Sequence, residues 1–171
     1  PVTFGSGTST GPINTYAWAF GDGGTSSLNN PSHTYTNLTN ASINPIVGLV
    51  VTSNHGCTDT KTLPLTIYSL VKADFSVDTP KYCSPFKILI DDNSQGGIVS
   101  YLWDYGDGTP TNPTSSDHTH TYINNGAVPL TRKLDLIVKN EGNCVSNTSR
   151  FITVYPEVHT NYTLDNSVDC N

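Results

Sequence analysis

His118 and His120 stand two residues apart, a spacing that puts both imidazoles on one face of a strand, where they could share a transition metal. Asp91 and Asp92, in the run Ile90-Asp-Asp-Asn-Ser94, gather carboxylates of the kind calcium uses among its about six to eight oxygen ligands. Neither pattern is a complete site. A His-X-His pair also suits a solvated strand edge, and a polar cluster at a strand end also makes a turn. The matching stretch nearer the N-terminus, Gly5-Ser-Gly-Thr-Ser9, has no carboxylate at all. The four residues are therefore candidate ligands without a full set, and the expectation is no metal or cofactor, calcium being the nearest to one.

Covalent chemistry is no better provided for. His33, His55, His118, His120 and His159 belong to no nucleophile elbow and no helical metal motif. No glycine loop opens a helix to cradle a phosphate. A reactive cysteine needs an environment that lowers its pKa, whereas each of the four cysteines here recurs at a periodic position. The chain reads as a non-enzyme from an oxidising compartment.

The period is 87 residues. Cys57 and Cys144 differ by it, as do Cys83 and Cys170, Val51 and Val138, and Tyr68 and Tyr155, and His33-Thr-Tyr35 returns as His120-Thr-Tyr122. Trp18 and Trp103 differ by 85, so two residues are inserted in the second copy. The stretch Val158–Asn171, VHTNYTLDNSVDCN, matches Val71–Ser84, VKADFSVDTPKYCS, and the first copy has no counterpart of it. Residues 1–68 are thus expected to be a module lacking its first strand, and 71–155 a complete module. Residues 158–171 are either the first strand of a third module or a strand given to the next subunit. Pro1-Val-Thr-Phe4 reads as the continuation of that strand, so joining Asn171 to Pro1 would restore a module, and the absence of Met suggests an excised or processed piece.

The elements that carry these residues alternate with period two. Tyr16, Trp18 and Phe20, and again Tyr101, Trp103 and Tyr105, face one way. Val47, Leu49 and Val51 match Leu134, Leu136 and Val138, while Phe86, Ile88 and Ile90 form another strand, as do Phe75 with Val77. Final strands are expected at Leu65 and Ile67, and at Ile152 and Val154. No segment keeps a 3.6-residue period. With 14 Gly, 11 Pro and 13% charged residues in 171, this is an all-β chain of antiparallel sandwiches without significant helix. The Trp residues plug the cores. Gly21-Asp22-Gly23 and Gly106-Asp107-Gly108 supply tight turns that tolerate positive φ, with the Asp bonding its own turn.

A formal charge of -6 with 8 Lys and Arg excludes the clustered basic surface that nucleic acid or an anionic membrane requires. No apolar run approaches the ~20 residues that cross a bilayer.

The run Tyr101-Leu-Trp-Asp-Tyr-Gly-Asp-Gly108 followed by His120-Thr-Tyr122 resembles the PKD (polycystic kidney disease) family of immunoglobulin-like domains. The first copy repeats it, with Ala19 where the second has Asp104. The turns His55-Gly-Cys57 and Gly142-Asn-Cys144 are also similar to PKD repeats of large Bacteroidetes surface proteins, gliding-motility adhesins among them. The resemblance implies tandem immunoglobulin-like sandwiches at the cell surface or secreted, acting as load-bearing spacers in an extracellular filament or stalk-like adhesin. Assembly would be as a covalent repeat, or by head-to-tail self-association in which Val158, Tyr162 and Leu164 add as a strand to the next subunit. The alternative is an accessory module of a secreted enzyme that binds a glycan or protein, with Tyr82, Tyr122 and Tyr162 as platform aromatics. Tyr35 matches Tyr122, and Tyr162 matches Phe75, which favours core positions for these rings.

Cys83 precedes the second strand of its module and Cys144 lies in the last hairpin, at the other end of a sandwich, too far apart for the ~7 Å between Cα atoms that a disulfide spans. Pairing between consecutive modules is preferred, Cys144 with Cys170 of the preceding copy and Cys83 with Cys57 of the following one. Pairing within a module and free thiols remain open. Asn37, Asn40, Asn147 and Asn161 begin Asn-X-Ser/Thr triplets and are candidate glycosylation acceptors if the source modifies them.

Overall fold

The computed structural model describes residues 1–7, 9–109 and 117–161, and among them the chain forms thirteen strands and no helix. It divides into two compact units: Pro1–Lys72 with Ser94–Ser100 and Val138–Ser146, and Ala73–Asn93 with Tyr101–Ile137 and the chain from Asn147 onward.

The first copy of the repeat contains β1 (Val2–Thr3), β2 (Ile13–Ala19), β3 (Thr25–Ser26), β4 (Ser32–His33), β5 (Ile46–Ser53) and β6 (Thr58–Pro64). One sheet has the order β3-β2-β5-β6, and β1 pairs with β4 in a second, two-stranded sheet. The alternation in β2 and β5 sets the antiparallel register, Trp18 opposite Leu49 and Tyr16 opposite Val51. Phe4, Trp18, Phe20, Val47 and Leu49 form the core, with Tyr16, Tyr35, Val51 and Leu65 packed against it. The final strand expected at Leu65 and Ile67 instead ends at Pro64, opposite Ile46; the Leu65 N–H still donates to Pro45 O at 3.0 Å, but Pro45 has no N–H to return the bond, and the ladder stops there. Ile67 bridges Ile43 separately, each accepting the other's N–H at 2.9–3.0 Å.

The second copy contains β7 (Phe75–Val77), β8 (Lys81–Cys83), β9 (Phe86–Asp92), β10 (Ile98–Asp104), β11 (His118–Tyr122), β12 (Leu130–Asn140) and β13 (Val145–Tyr155). Its sheets run β10-β12-β13-β8 and β11-β9-β7. Trp103 stands on β10 and meets Phe75 of β7 at 5.1 Å and His118 of β11 at 4.9 Å, so the two sheets close face to face over it. Trp103, Phe75, Ile88, Ile90, Leu134, Leu136 and Ile152 are fully buried. β8 is parallel to β13, with Cys83 opposite Tyr155, a strand that the hydrophobic pattern of Lys81-Tyr-Cys83 does not announce.

The strand registers refine how the copies align. His33 pairs with Val2 and His120 with Ile88, so Phe4 takes the place of Ile90, and Gly5 and Ser6 those of Asp91 and Asp92. The sequence match of Pro1 with Pro85 is therefore offset by two residues. β7 and β8 have no counterpart in the first copy, where β1 pairs with β4 alone among the described residues.

Candidate functional site: a corner built twice

β2 and β10 end at Ala19 and Asp104, and the next aromatic, Phe20 or Tyr105, still points into the core. The chain then turns back on a glycine. Gly21 (φ +79°) and Gly106 (φ +67°) lie so close to the neighbouring strand that a Cβ would fall 2.6 Å from Ile46 O and 2.5 Å from Lys133 O. Gly23 and Gly108 also have positive φ but face open space. Only the first glycine of each turn is thus required by close approach as well as by conformation.

That turn aims a carboxylate at a histidine. Asp22 Oδ1 accepts the Gly24 N–H at 3.0 Å, and its Oδ2 lies 2.7 Å from His33 Nε2, so the imidazole N–H donates to it. The His33 ring stacks on Phe20 at 4.2 Å and meets the edge of Tyr35, whose hydroxyl donates to Phe20 O at 2.9 Å. The second copy repeats every contact. Asp107 Oδ1 accepts from Thr109 N–H (3.0 Å), His120 Nε2 lies 2.7 Å from Asp107 Oδ2, the His120 ring stacks on Tyr105 at 3.8 Å, and Tyr122 Oη donates to Tyr105 O at 3.1 Å.

The electrostatics follow the contacts. The hydrogen bond from His33, with that from Gly24, holds the Asp22 carboxyl below its ordinary value. Partial burial pushes Asp107 up, but hydrogen bonds from Thr109 and His120 outweigh it and leave this carboxyl lowered as well. Burial raises the Tyr122 hydroxyl far above the usual phenol value. With Nε2 of each histidine and the carboxylates engaged with one another and with the turn, the arrangement is a clamp that fastens the end of a central strand to the facing sheet. It presents no nucleophile.

The other expected residues are dispersed. His118 and His120 do share a face, but that face packs against Trp103 and Tyr105, which replaces the expected solvated edge. Asp91 is exposed and Asp92 half-buried on consecutive positions of β9, whose side chains point to opposite sides. Asp92 is hydrogen-bonded to Tyr101, whose hydroxyl is pushed up to about 12 by burial and by this bond. Among the described residues no three His, Cys, Asp or Glu side chains converge as a metal site. Asp104 Oδ1 accepts the Gly106 N–H at 2.9 Å, a bond that Ala19 cannot make. Trp18 Nε1 donates to Leu28 O at 3.0 Å. Trp103 Nε1 has no acceptor among the described residues.

Cys57, Cys83 and Cys144 are exposed free thiols, and Cys170 lies outside the described residues. Cys83 pairs with Tyr155 at one end of β13, and Cys144 precedes Val145 at the other. At ~3.3 Å per residue these ends stand roughly 35 Å apart, beyond the reach of a disulfide. Asn37 Nδ2 donates to Ala41 O and Ile67 O, which makes it a loop fastener, whereas Asn40, Asn147 and Asn161 are exposed. Tyr82 is exposed, Tyr122 is buried, and Val158 is 83% exposed outside any strand. Tyr162 and Leu164 lie outside the described residues.

The repeated His–Asp–aromatic corner was not anticipated from the sequence. Its signal was present in the joint recurrence of Gly-Asp-Gly and His-Thr-Tyr in both copies.

Two immunoglobulin-like sandwiches in series, with the same corner in each, define a tandem module protein of a class that is generally extracellular and serves structural or interaction roles. The PKD domain family matches residues 2–67 and again 73–154, and the chain belongs to that family. Among solved structures it is similar to the PKD1 domain of the Vibrio cholerae metalloprotease PrtV, at 21% identity over 50% of this chain and 98% of that one, with a TM-score of 0.40. An amphioxus IgVJ-C2 molecule follows at 15% identity over 88% and 94%, TM-score 0.44. Fibronectin(III)-like modules of Clostridium thermocellum CbhA match at 12% over 91% and 87%, TM-score 0.36. No curated protein matches the sequence.

Proposed function

We propose that the chain is a load-bearing spacer of an extracellular filament or stalk-like surface adhesin, of the kind that carries gliding-motility or attachment sites at its tip. One observation carries this reading. The residues best equipped for chemistry, His33, Asp22, His120 and Asp107, are committed in both copies to locking a strand end, a mechanical duty. Neighbours in the filament are further PKD modules or further copies of this chain, joined head to tail by strand addition through Val158, Tyr162 and Leu164. Exposed Cys57, Cys83 and Cys144 are available for staples between consecutive copies, Cys83 to Cys57 and Cys144 to Cys170. No metal, nucleic acid or membrane insertion enters this role.

The test is location and load. Antibody against the chain should label intact, unpermeabilised cells of the source, and pulling on the chain should give two separate unfolding events. Labelling only after permeabilisation would contradict the reading. Tyr82, 63% exposed, favours the second reading, an accessory module that holds a glycan or protein for a secreted enzyme. Loss of glycan retention in Tyr82→Ala would support that reading instead.

A further inference from the structure

We infer, building on the spacer reading above, that residues 67–72, the chain leading from the first copy of the repeat into the second, are a load-bearing splice gripped by two turns of the second copy, in place of a flexible tether.

A tether between modules is ordinarily an exposed segment rich in Gly, Pro or Ser, with a backbone bonded only to water. Tyr68-Ser-Leu-Val-Lys72 has neither Gly nor Pro, and its backbone is held at successive points. Ile67 and Ile43 exchange N–H···O bonds at 2.9 and 3.0 Å, and Asn37 Nδ2 donates to Ile67 O as well. Asn140 Nδ2 donates to Ser69 O at 3.1 Å. Lys72 and Gln95 exchange N–H···O bonds, both at 2.9 Å. Ser69 and Asn140 are each 2% exposed, and Val71 is buried. Load drawn along this segment is shared among these bonds, whereas a tether would pass it on unshared.

Two glycines make room for the segment. Gly96, with φ +106°, lies so close that a Cβ would overlap Leu70 O and Val71 Cα. Gly142 has no left-handed φ, yet a Cβ there would run into the Tyr68 ring, so its smallness answers to the passing chain alone. Residues 67–72, 95–97 and 140–142 all belong to the first compact unit. The turns that hold the segment are therefore part of the unit it leaves.

The internal repeat shows that this grip is additional to the turn. Asn140 Oδ1 accepts the Cys144 N–H at 3.1 Å, and at the equivalent position of the first copy Ser53 Oγ accepts the Cys57 N–H at the same distance. A serine is thus enough for the hairpin. The amide of Asn140 adds a donor, and that donor goes to Ser69 O. His55 likewise stands where the second copy has Gly142. The hairpin tips differ at the two positions that touch the segment.

Trypsin acting on the full chain tests this, because Lys72 is exposed and the bond after it is the one a flexible tether would lose first. Wild type should resist cleavage after Lys72 as it does after Lys139, which stands in β12 beside Asn140. Asn140→Ser installs the first copy's own residue and keeps an acceptor for Cys144. It should speed cleavage after Lys72 about tenfold or more, by leaving Ser69 O without its donor, while cleavage after Lys139 stays slow. Amide exchange gives a second readout, since the Lys72 and Gln95 N–H groups should be protected in wild type and exchange about tenfold or more faster in the variant. Should Asn140→Ser also speed cleavage after Lys139, the hairpin itself has loosened, and Tyr68→Ala, which leaves the hairpin's residues in place, gives the answer by the same two readouts. Wild type cut after Lys72 as fast as a free peptide of the same sequence would overturn the inference, as would Asn140→Ser and Tyr68→Ala chains both unchanged at that bond. None of these outcomes bears on whether antibody labels the cell surface, so the spacer reading stands or falls separately.

Discussion

The two modules share one corner and differ in closure. In the second, β7 and β8 complete both sheets and Trp103, Phe75, Ile88 and Ile90 are fully buried. In the first, the same tryptophan borders a groove, β1 has shrunk to two residues against the seven of β9, and the core keeps Phe4, Trp18 and Leu49 at 7–9% exposure. The His–Asp clamp has nearly the same geometry in both, 2.7 Å each time. What ties a strand end to its turn is therefore local and holds with or without a strand like β7 paired beside it. Sealing the core is not local: in the second module it takes β7 and β8, which precede β9 in the chain.

Core truncation should separate the modules most. Trp103→Ala should cost about 3–5 kcal/mol and unfold the second module, because a fully packed site cannot collapse around the void. Trp18→Ala should cost the isolated chain less, about 2 kcal/mol, since its side chain already borders open space. Two resolved thermal transitions would show this, and equal losses would break the distinction between a closed and an open core. The glycines come next, and there the modules should agree. Gly21→Ala and Gly106→Ala meet backbone as well as strain and should each cost about 2–3 kcal/mol. Gly23→Ala and Gly108→Ala, with open space around them, should cost about 1–2 kcal/mol by denaturant melts.

The clamp predicts a smaller, pH-dependent difference. A carboxyl lowered in the folded state adds stability that is fully present above the ordinary value of 3.8 and lost as pH falls through the lowered native value. Both modules should therefore weaken in acid below about pH 4. The step should be smaller for the second, where burial is the largest influence on Asp107 and opposes the lowering, whereas at Asp22 the His33 hydrogen bond leads. Asp107→Asn should remove that step and cost about 1–2 kcal/mol at neutral pH, read from acid titrations of each module's melting. The smallest effect sharpens the comparison by erasing one difference. Ala19→Asp should give the first module the turn bond that Asp104 makes to the Gly106 N–H, and raise its stability by about 0.5–1 kcal/mol in a denaturant melt.

Much of the fold was legible because its strands alternate strongly. The residues around Trp18 and Trp103 announce central strands, and Gly-Asp-Gly announces the turns after them. β8 was hidden because Lys81-Tyr-Cys83 is exposed throughout and owes its existence to pairing with β13. The end of β6 was hidden because Leu65 and Ile67 keep an apolar alternation past Pro64, and it is Pro45, just before the partner strand, with no N–H to return the bond it accepts from Leu65, that stops the ladder. The corner escaped because its parts lie 11 residues apart in one copy and 13 in the other, joined only when the sheets face each other. His120, weighed as a metal ligand beside His118, is a donor to Asp107 for the same reason.

The central claim is that the corner is shared while closure differs: within this chain β9 lies in a three-stranded sheet over a fully buried core and β1 pairs with β4 alone among the described residues. Amide hydrogen exchange of the chain, followed at Val2–Thr3 in β1 and Phe86–Asp92 in β9 in dilute solution, tests it most directly. The account predicts that β9 is strongly protected while β1 exchanges quickly. Equal protection of β1 and β9 in the dilute monomer would contradict it.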